Sequence, residues 1–462
     1  MRQYGPYPDS TRGFLLLAAC LAVLAGCASQ PVNEIDLMPA PDVYGDGLLD
    51  PLPRNQPYAA IPYGGLLYAT DRQPAGPDDK EEHYLNDRGA ILRVGVARIG
   101  LGDKQLDWET ARRVTLLKNR TDEYPLKVTS VEEWGVLGRT IPFFTDGRDM
   151  NGSDLPPDIS DKLAEQINAQ LARSDRKHVY LYVHGYKVVY ENPVLVASEL
   201  WHFLGYNGVF IAYAWPSTPS AFAYLKDSDT SQGFARNFRQ LLEFLAEETD
   251  VEEIHILGYS NGTRLVARAL EQLALKYSHL TPDETQQRTR VGNVVLIGSD
   301  IDRGVFGSYL TDGLLTANDH LTVYMSKYDK ALGMSQFLTR RSRLGQMFDD
   351  GSMSFAARNL LEKYPDEVSV VNISDVEGSK SANGHGYFLA SPWASSDILM
   401  TLAYGLSPEE RGLVRQTDVP VFNFPEDYVA RLWDALSGAD PIFAEAYSKY
   451  VSNRSDEAED TE

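Results

Sequence analysis

The chain has 462 residues, with 65 acidic against 43 basic side chains for a formal net charge of −22, and 43% hydrophobic residues of which many are aromatic. That composition belongs to a folded globular protein and excludes a disordered or fibrous one, while the length admits one elaborated α/β domain or two. The charge, with no Lys/Arg cluster of five or more, excludes a nucleic-acid role, because phosphate binding needs a basic patch. It would also repel anionic head groups, which argues against a surface lying flat on a membrane.

In chain order, the first residues read as an export address. Arg2 and Arg12 flank a polar stretch, Phe14 to Ala25 is an apolar run, and small residues close it, as a secretory signal requires. The run is too short to span a bilayer, which takes about 20 residues. Its end, Leu24-Ala25-Gly26-Cys27, resembles the lipobox of bacterial lipoproteins; the alternative is an ordinary signal peptide that ends in cysteine. The resemblance implies that Cys27 is acylated and becomes the mature N-terminus, anchored in a membrane. Ala28 and Ser29 follow, with no Asp, which by the same resemblance implies the outer membrane, facing the periplasm. Cys20 is the only other cysteine, so the mature chain has no pair for a disulfide or a cysteine metal site.

Residues 1–26 are thus expected to be a signal peptide and 27–65, rich in Pro, Asp, Asn and Gly, a tether. Short strand-like runs such as Ile91–Val96 and Arg113–Leu117 predict a β-rich N-terminal extension over 66–155. From about Asp158 strands and helices alternate, the signature of a parallel sheet covered on both faces. The predicted strands are Val179–Val183, Gly208–Tyr213, Glu253–Leu257, Val291–Ile297, Leu321–Met325 and Val368–Val371. Their near-continuous β-branched runs suit strands buried on both sides. Helical spacing covers Ser231–Glu248 and Thr263–Tyr277. The catalytic domain is expected to span 156–440, with a C-terminal helix and an acidic, disordered tail over 441–462.

The chemistry concentrates at Gly258-Tyr259-Ser260-Asn261-Gly262, a Gly-x-Ser-x-Gly between a predicted strand and a predicted helix. Gly258 and Gly262 remove side chains that would collide across a tight turn, and the helix N-terminus faces developing negative charge. A serine hydroxyl needs a base. After Ser260 only His279, His320 and His385 remain; the first ends the helix leaving the turn and the second precedes a strand, at the wrong edge of the sheet. His385, in Asn383-Gly384-His385-Gly386-Tyr387, sits in a loop after the last predicted strand. Asp329, after the strand ending at Met325, is the favoured acid, and Asp300 and Asp302 compete. Asn261 and Tyr186 are the expected backbone donors of an oxyanion hole, while His184 is read as a structural hydrogen-bonding residue.

Taken together, Tyr68-Ala69-Thr70-Asp71-Arg72, His184-Gly185-Tyr186, Trp215-Pro216-Ser217, the Ser260 turn, Tyr328-Asp329-Lys330-Ala331-Leu332 and the His385 loop resemble a family of uncharacterised bacterial α/β-hydrolases, often described as esterase/lipase-like. The resemblance covers Leu66 to Tyr428. It departs at the turn, where the family usually shows His-Ser-Met-Gly, which changes the lining beside the nucleophile. It implies an α/β-hydrolase fold, a mostly parallel sheet with helices on both faces, and a Ser260-Asp329-His385 triad, but it supplies no substrate; the serine triad itself sets the expectation of a carboxylic ester, a small or lipid-like acyl ester, as substrate. An acyltransferase with the same triad, a peptidase and a non-catalytic envelope binding lipoprotein remain open alternatives. Thr70, Asp71 and Arg72 read as a structural ion-pair turn. No cofactor or metal is called for: there is no His-Glu-x-x-His and no clustered His/Asp set along the chain.

Overall fold

A computed structural model describes residues 33–52, 65–80, 82–102, 106–143, 154–220, 223–348, 353–380, 382–417 and 419–448. The expected signal peptide, Cys27 and the acidic tail lie outside the described residues. Twelve strands form one sheet: β1 (Glu34–Asp36), β2 (Leu66–Pro74), β3 (Tyr84–Leu101), β4 (Pro125–Val136), β5 (His178–Val183), β6 (Val209–Ala214), β7 (Glu253–Tyr259), β8 (Val291–Ile297), β9 (His320–Met325), β10 (Val368–Asn372), β11 (Val414–Arg415) and β12 (Phe422–Asn423), in the order β1-β4-β3-β2-β6-β5-β7-β8-β9-β10-β12-β11. From β2 to β12 every neighbouring pair is parallel. Antiparallel pairs close the two ends.

All six predicted strands of the alternating region are present, and their alternation explains the two cores. Val179, Leu181 and Val183 of β5 point to one face, under the helices Ser160–Leu171, Ala235–Glu248 and Gly262–Lys276. Tyr180 and Tyr182 point to the other, under Glu191–Phe203, Pro392–Tyr404 and Tyr428–Ala439. A period of two in a strand buried on both sides needs apolar residues at every position, which is what the sequence has. The chain leaves β5 towards β6 on one side and later enters β7 on the other. That reversal opens a crevice at the C-terminal ends of β5 and β7, where ligands bind in open α/β sheets.

Three expectations need correction. Arg113–Leu117 is not a strand: the helix Trp108–Thr115 occupies that region, started by Asp107, whose side chain accepts the Thr110 N–H, and held to the body by Arg112 on Asp50. Thr70-Asp71-Arg72 is not an ion-pair turn, because it lies within β2, where consecutive side chains point to opposite faces. Asp71 is instead bonded by Tyr213 and by Asn237 at 2.7 Å. Arg72 reaches Asn86 at 2.6 Å and the Val188 carbonyl at 2.9 Å.

The third concerns the tether. Residues 33–52 are packed onto the body, with Leu37, Met38, Val43, Tyr44, Leu49 and Leu52 buried. Val43 N–H donates to Ser396 Oγ at 3.0 Å, Tyr44 OH to the Phe203 carbonyl, and Met38 N–H to Glu199 Oε1. Only β1 is a strand here, so the apolar residues follow the shape of a groove and no helical or strand period announces them. The expected β-rich N-terminal extension is present as β2, β3 and β4, which lengthen the main sheet.

Glu199 makes this docking sensitive to pH. Burial pushes its carboxyl up to about 8, although the Met38 N–H and the Arg120 charge pull it down. An acid whose folded pKa is raised contributes stability that is complete below its unfolded value, near 4.5, and lost as pH rises through the folded one. Glu199→Gln keeps an acceptor for Met38 and removes the titration. Thermal denaturation should therefore show the variant close to wild type at about pH 5 and several degrees more stable at about pH 9, since a tenfold difference in proton affinity between the folded and unfolded chain corresponds to about 1.4 kcal/mol.

Candidate functional site

The crevice is built on a strained turn. Ser260 follows β7 with φ of 52°, a left-handed conformation uncommon for a residue with a side chain and informative where the surroundings enforce it. Its N–H donates to the Ile297 carbonyl at 2.9 Å, and its own carbonyl accepts from Thr263 N–H at 3.2 Å and Thr263 Oγ1 at 2.6 Å. The helix Gly262–Lys276 then starts directly beneath. Ser260 is 4% exposed.

Two glycines allow the approach of neighbouring backbone. A Cβ on Gly262 would lie 2.2 Å from the His184 carbonyl oxygen and 2.7 Å from that of Val183. A Cβ on Gly185 would come within 2.9 Å of Ser260 Cβ and 3.3 Å of its Oγ. Gly258, by contrast, meets only side-chain and Cα neighbours at 3.2 Å or more, so it packs the strand tightly without being an absolute requirement. His184 is buried and stacked on Trp215 at 5.0 Å, with Nδ1 at 2.6 Å from the Gly185 carbonyl and Nε2 at 3.1 Å from that of Trp215. Burial and the Arg72 charge push its pKa well down. A neutral ring donates to one of these two carbonyls only, and with its stacking on Trp215 it packs under the loop that carries Gly185 and Tyr186.

His385 is delivered by a turn in which Asn383 and Gly384 both have positive φ. Its Nδ1 is 2.7 Å from Asp329 Oδ2. The other Asp329 oxygen accepts the Leu332 N–H at 2.9 Å, capping the helix Lys330–Thr339, so the carboxylate is fixed at both ends and sits at a favourable helix N-terminus. Burial alone would lower the imidazole pKa; the charge and hydrogen bond of Asp329, joined by the charge of Asp300, outweigh it and leave the pKa raised. The ring rests on Tyr259 at 5.0 Å and over Gly298, the residue after Ile297 that receives the Ser260 N–H. No hydrogen bond joins Ser260 Oγ to His385 among the described residues, a separation common in enzymes without substrate.

The competing acids are engaged elsewhere. Asp300 accepts from Tyr224 OH at 2.8 Å and Ser335 Oγ at 2.5 Å, and pairs with Arg264 at 3.1 Å and Arg343 at 3.5 Å. Asp302 caps the helix Arg303–Thr311. His279 is exposed, and His320 is bonded to the Asp366 carbonyl and Ser369 at the opposite sheet edge.

Asn261 is fully buried, its side chain held by Ser228 at 2.8 Å and Ser231 at 2.6 Å. Tyr186 meets Tyr224 edge-on at 5.5 Å. Ser228, Ser231 and Tyr224 come from the helix Tyr224–Gly233, which no motif announces, and Phe222 beside it lies outside the described residues. Folding also gathers His178, Glu253 and His255 at the opposite end of β5 and β7, with donor atoms within 4.8 Å of one another. His178 lies far in sequence from Glu253 and His255, so no motif along the chain marks the one set that could hold a metal among the described residues.

Because backbone oxygens cannot yield to a methyl group at 2.2 Å, Gly262→Ala should cost about 3 kcal/mol or more, at the upper end of overpacking penalties, measured by denaturant unfolding, whereas Gly258→Ala should cost less. No curated protein and no solved structure matches this chain. The mostly parallel sheet with helices on both faces agrees with the family model that residues 159–401 match, described as alpha/beta hydrolase of unknown function (DUF900), and the chain belongs to that family.

Proposed function

We propose that the protein is a serine hydrolase that cleaves a carboxylic ester through an acyl-enzyme on Ser260. The observation that carries this reading is the Asp329–His385 hydrogen bond at 2.7 Å beside a serine held at positive φ. With Nδ1–H donated to Asp329, the neutral imidazole keeps its lone pair on Nε2, the tautomer a general base needs. Nε2 takes the Ser260 proton as Oγ attacks the ester carbonyl. The tetrahedral oxyanion is met by the N–H groups of Asn261 and Tyr186. Collapse breaks the bond to the alcohol oxygen, which leaves with the proton from His385. Water, deprotonated by the same nitrogen, then releases the acid and restores Ser260.

Asp300 has a different part in this reading. Its carboxylate is occupied by two arginines, a tyrosine and a serine, and it adds negative potential towards His385 without touching it. Ser260→Ala should fold as wild type and lose labelling by a fluorophosphonate probe. Asp329→Asn should lower kcat on a short-chain ester by about four orders of magnitude, and Asp300→Asn, confirmed folded by circular dichroism, by far less. Equal labelling of Ser260→Ala, or a reversed order of the two aspartates, would defeat the assignment.

We further propose that the chain is exported and held by acylation of Cys27, on the outer membrane facing the periplasm. No helix among the described residues is long and apolar enough to cross a membrane; the lipid anchor in this reading rests on Leu24-Ala25-Gly26-Cys27. One acyl chain binds only marginally, and stable attachment takes more than one. Cys27→Ser should shift the protein from the membrane to the soluble fraction, and membrane retention with no acyl incorporation in wild type would overturn this.

A further inference from the structure

The N-terminal edge of the sheet, at the far end of β5 and β7 from the serine, carries chemistry that the proposed hydrolysis does not use. β5 and β7 are adjacent and parallel, with His178 registered against Glu253 and Tyr180 against His255. Side chains two apart on a strand share a face, so Glu253 and His255 stand together, and the register brings His178 to them. His255 Nε2 is 3.1 Å from His178 Nδ1 and 3.4 Å from Glu253 Oε2, and His178 Nε2 is 4.0 Å from the same oxygen.

These spacings suit a metal ion. Tetrahedral zinc with bonds of about 2.0–2.1 Å separates its donors by roughly 3.3 Å, within a few tenths of an ångström of the two shorter distances. The trio lines a cavity of about 660 Å³ shared with Arg176, Asn293 and Asp319. Arg176 lies over the ring of Tyr404 at 4.2 Å and forms no ion pair with Glu253 among the described residues, but its positive charge bears on all three groups, a repulsion the ion must overcome. His320 lines the same cavity, but both of its nitrogens are taken, by the Asp366 carbonyl at 2.7 Å and Ser369 at 2.8 Å.

We propose that His178, Glu253 and His255 bind one borderline divalent transition-metal ion of the zinc type. Two imidazoles and a carboxylate are the donor set such ions prefer, and three protein ligands leave a fourth position open to the cavity. Ion binding also requires a proton exchange. Without an ion the Asn293 N–H donates to Nδ1 of His255 at 3.1 Å, which places the ring proton on Nε2, aimed at His178. On binding, Nε2 gives up that proton to solvent and Nδ1 takes one. The side-chain amide of Asn293, 3.5 Å from Nδ1, turns its oxygen in to accept it, supplying the outer hydrogen bond that metal-bound histidines use. The Asn293 N–H would then face the new Nδ1–H donor to donor at the present 3.1 Å, so binding also requires the backbone at Asn293 to turn away, and the site is weaker than one built with a carbonyl behind each ring. The ion would tie together the starts of the two strands whose far ends carry Gly185 and Ser260.

The test uses the full chain without an affinity tag, stripped of metal by a chelator. Zn²⁺ is titrated by calorimetry, and Co²⁺ by visible absorption, which reports coordination geometry. The expected result is one ion per chain with the intense absorption of four-coordinate Co²⁺. His178→Gln and Glu253→Gln should each weaken binding at least tenfold, and Ser260→Ala should bind as wild type, which separates this site from the proposed hydrolase. The half-buried positions are chosen because His255 is buried and accepts the Asn293 N–H of β8, so replacing it would also disturb the packing of β7 on β8. No saturable uptake by wild type, an octahedral Co²⁺ spectrum, or undiminished affinity in both variants would overturn the proposal.

Discussion

The left-handed backbone of Ser260 is the constraint on which the rest of the site depends. It can persist only if the turn is held from several sides, and each support restricts a different part of the chain. Gly262 must lack a side chain because the carbonyls of Val183 and His184 press against it. Gly185 must lack one because the Ser260 side chain lies against it. The β5 loop is held by the wedge of His184 on Trp215 and by Arg72, which reaches from β2 to the Val188 carbonyl. Strain at one residue is thus distributed over β2, β5, β6 and β7, and substitutions far from the serine can relax it.

A second theme is the use of buried carboxylates whose partners differ in kind. Asp329 is shared between a helix N-terminus and an imidazole, which fixes direction while leaving the histidine able to change its charge. Asp300 sits between guanidinium groups, which fixes a cluster of side chains in place. Asp397, with Arg411 at 2.7 Å and Tyr428 at 3.3 Å, is of that second sort. Asp71 has only Tyr213 and Asn237, and burial pushes its carboxyl up to about 7. Replacing any of these changes a different property, because removing one partner of a buried charge strands the other.

Much of this was legible in the sequence, and the misses have physical reasons. The six alternating-region strands and the Ser260 turn follow from patterns set by local chemistry, continuous apolar runs and paired glycines. The choice of Asp329 over Asp300 rested on its place after the penultimate strand, and His385 Nδ1 lies 2.7 Å from Asp329 Oδ2. What did not show was whatever depends on distant parts meeting. The groove-bound segment from Leu37 to Leu52 has no period because it follows another surface. Arg113–Leu117 looked like a strand because Val114, Leu116 and Leu117 are apolar, yet Asp107 caps a helix there. Thr70-Asp71-Arg72 suggested an ion pair, although neighbours on a strand face apart. His178 and His255 met only through the register of β5 and β7.

The docking of residues 33–52 has a mechanical corollary for a lipid-held molecule. If Cys27 carries the anchor as proposed, only the six residues from Ala28 to Asn33 separate it from β1. Fully extended, that is a leash of about 20 Å, shorter than the body it restrains. β1 is the outermost strand, and β7 lies six strand spacings inward, about 29 Å at roughly 4.8 Å each. The point of attachment would therefore lie at one rim of the sheet, with the mouth above Ser260 set well back from it. Such a geometry favours substrates arriving through the aqueous layer over those still embedded beside the anchor.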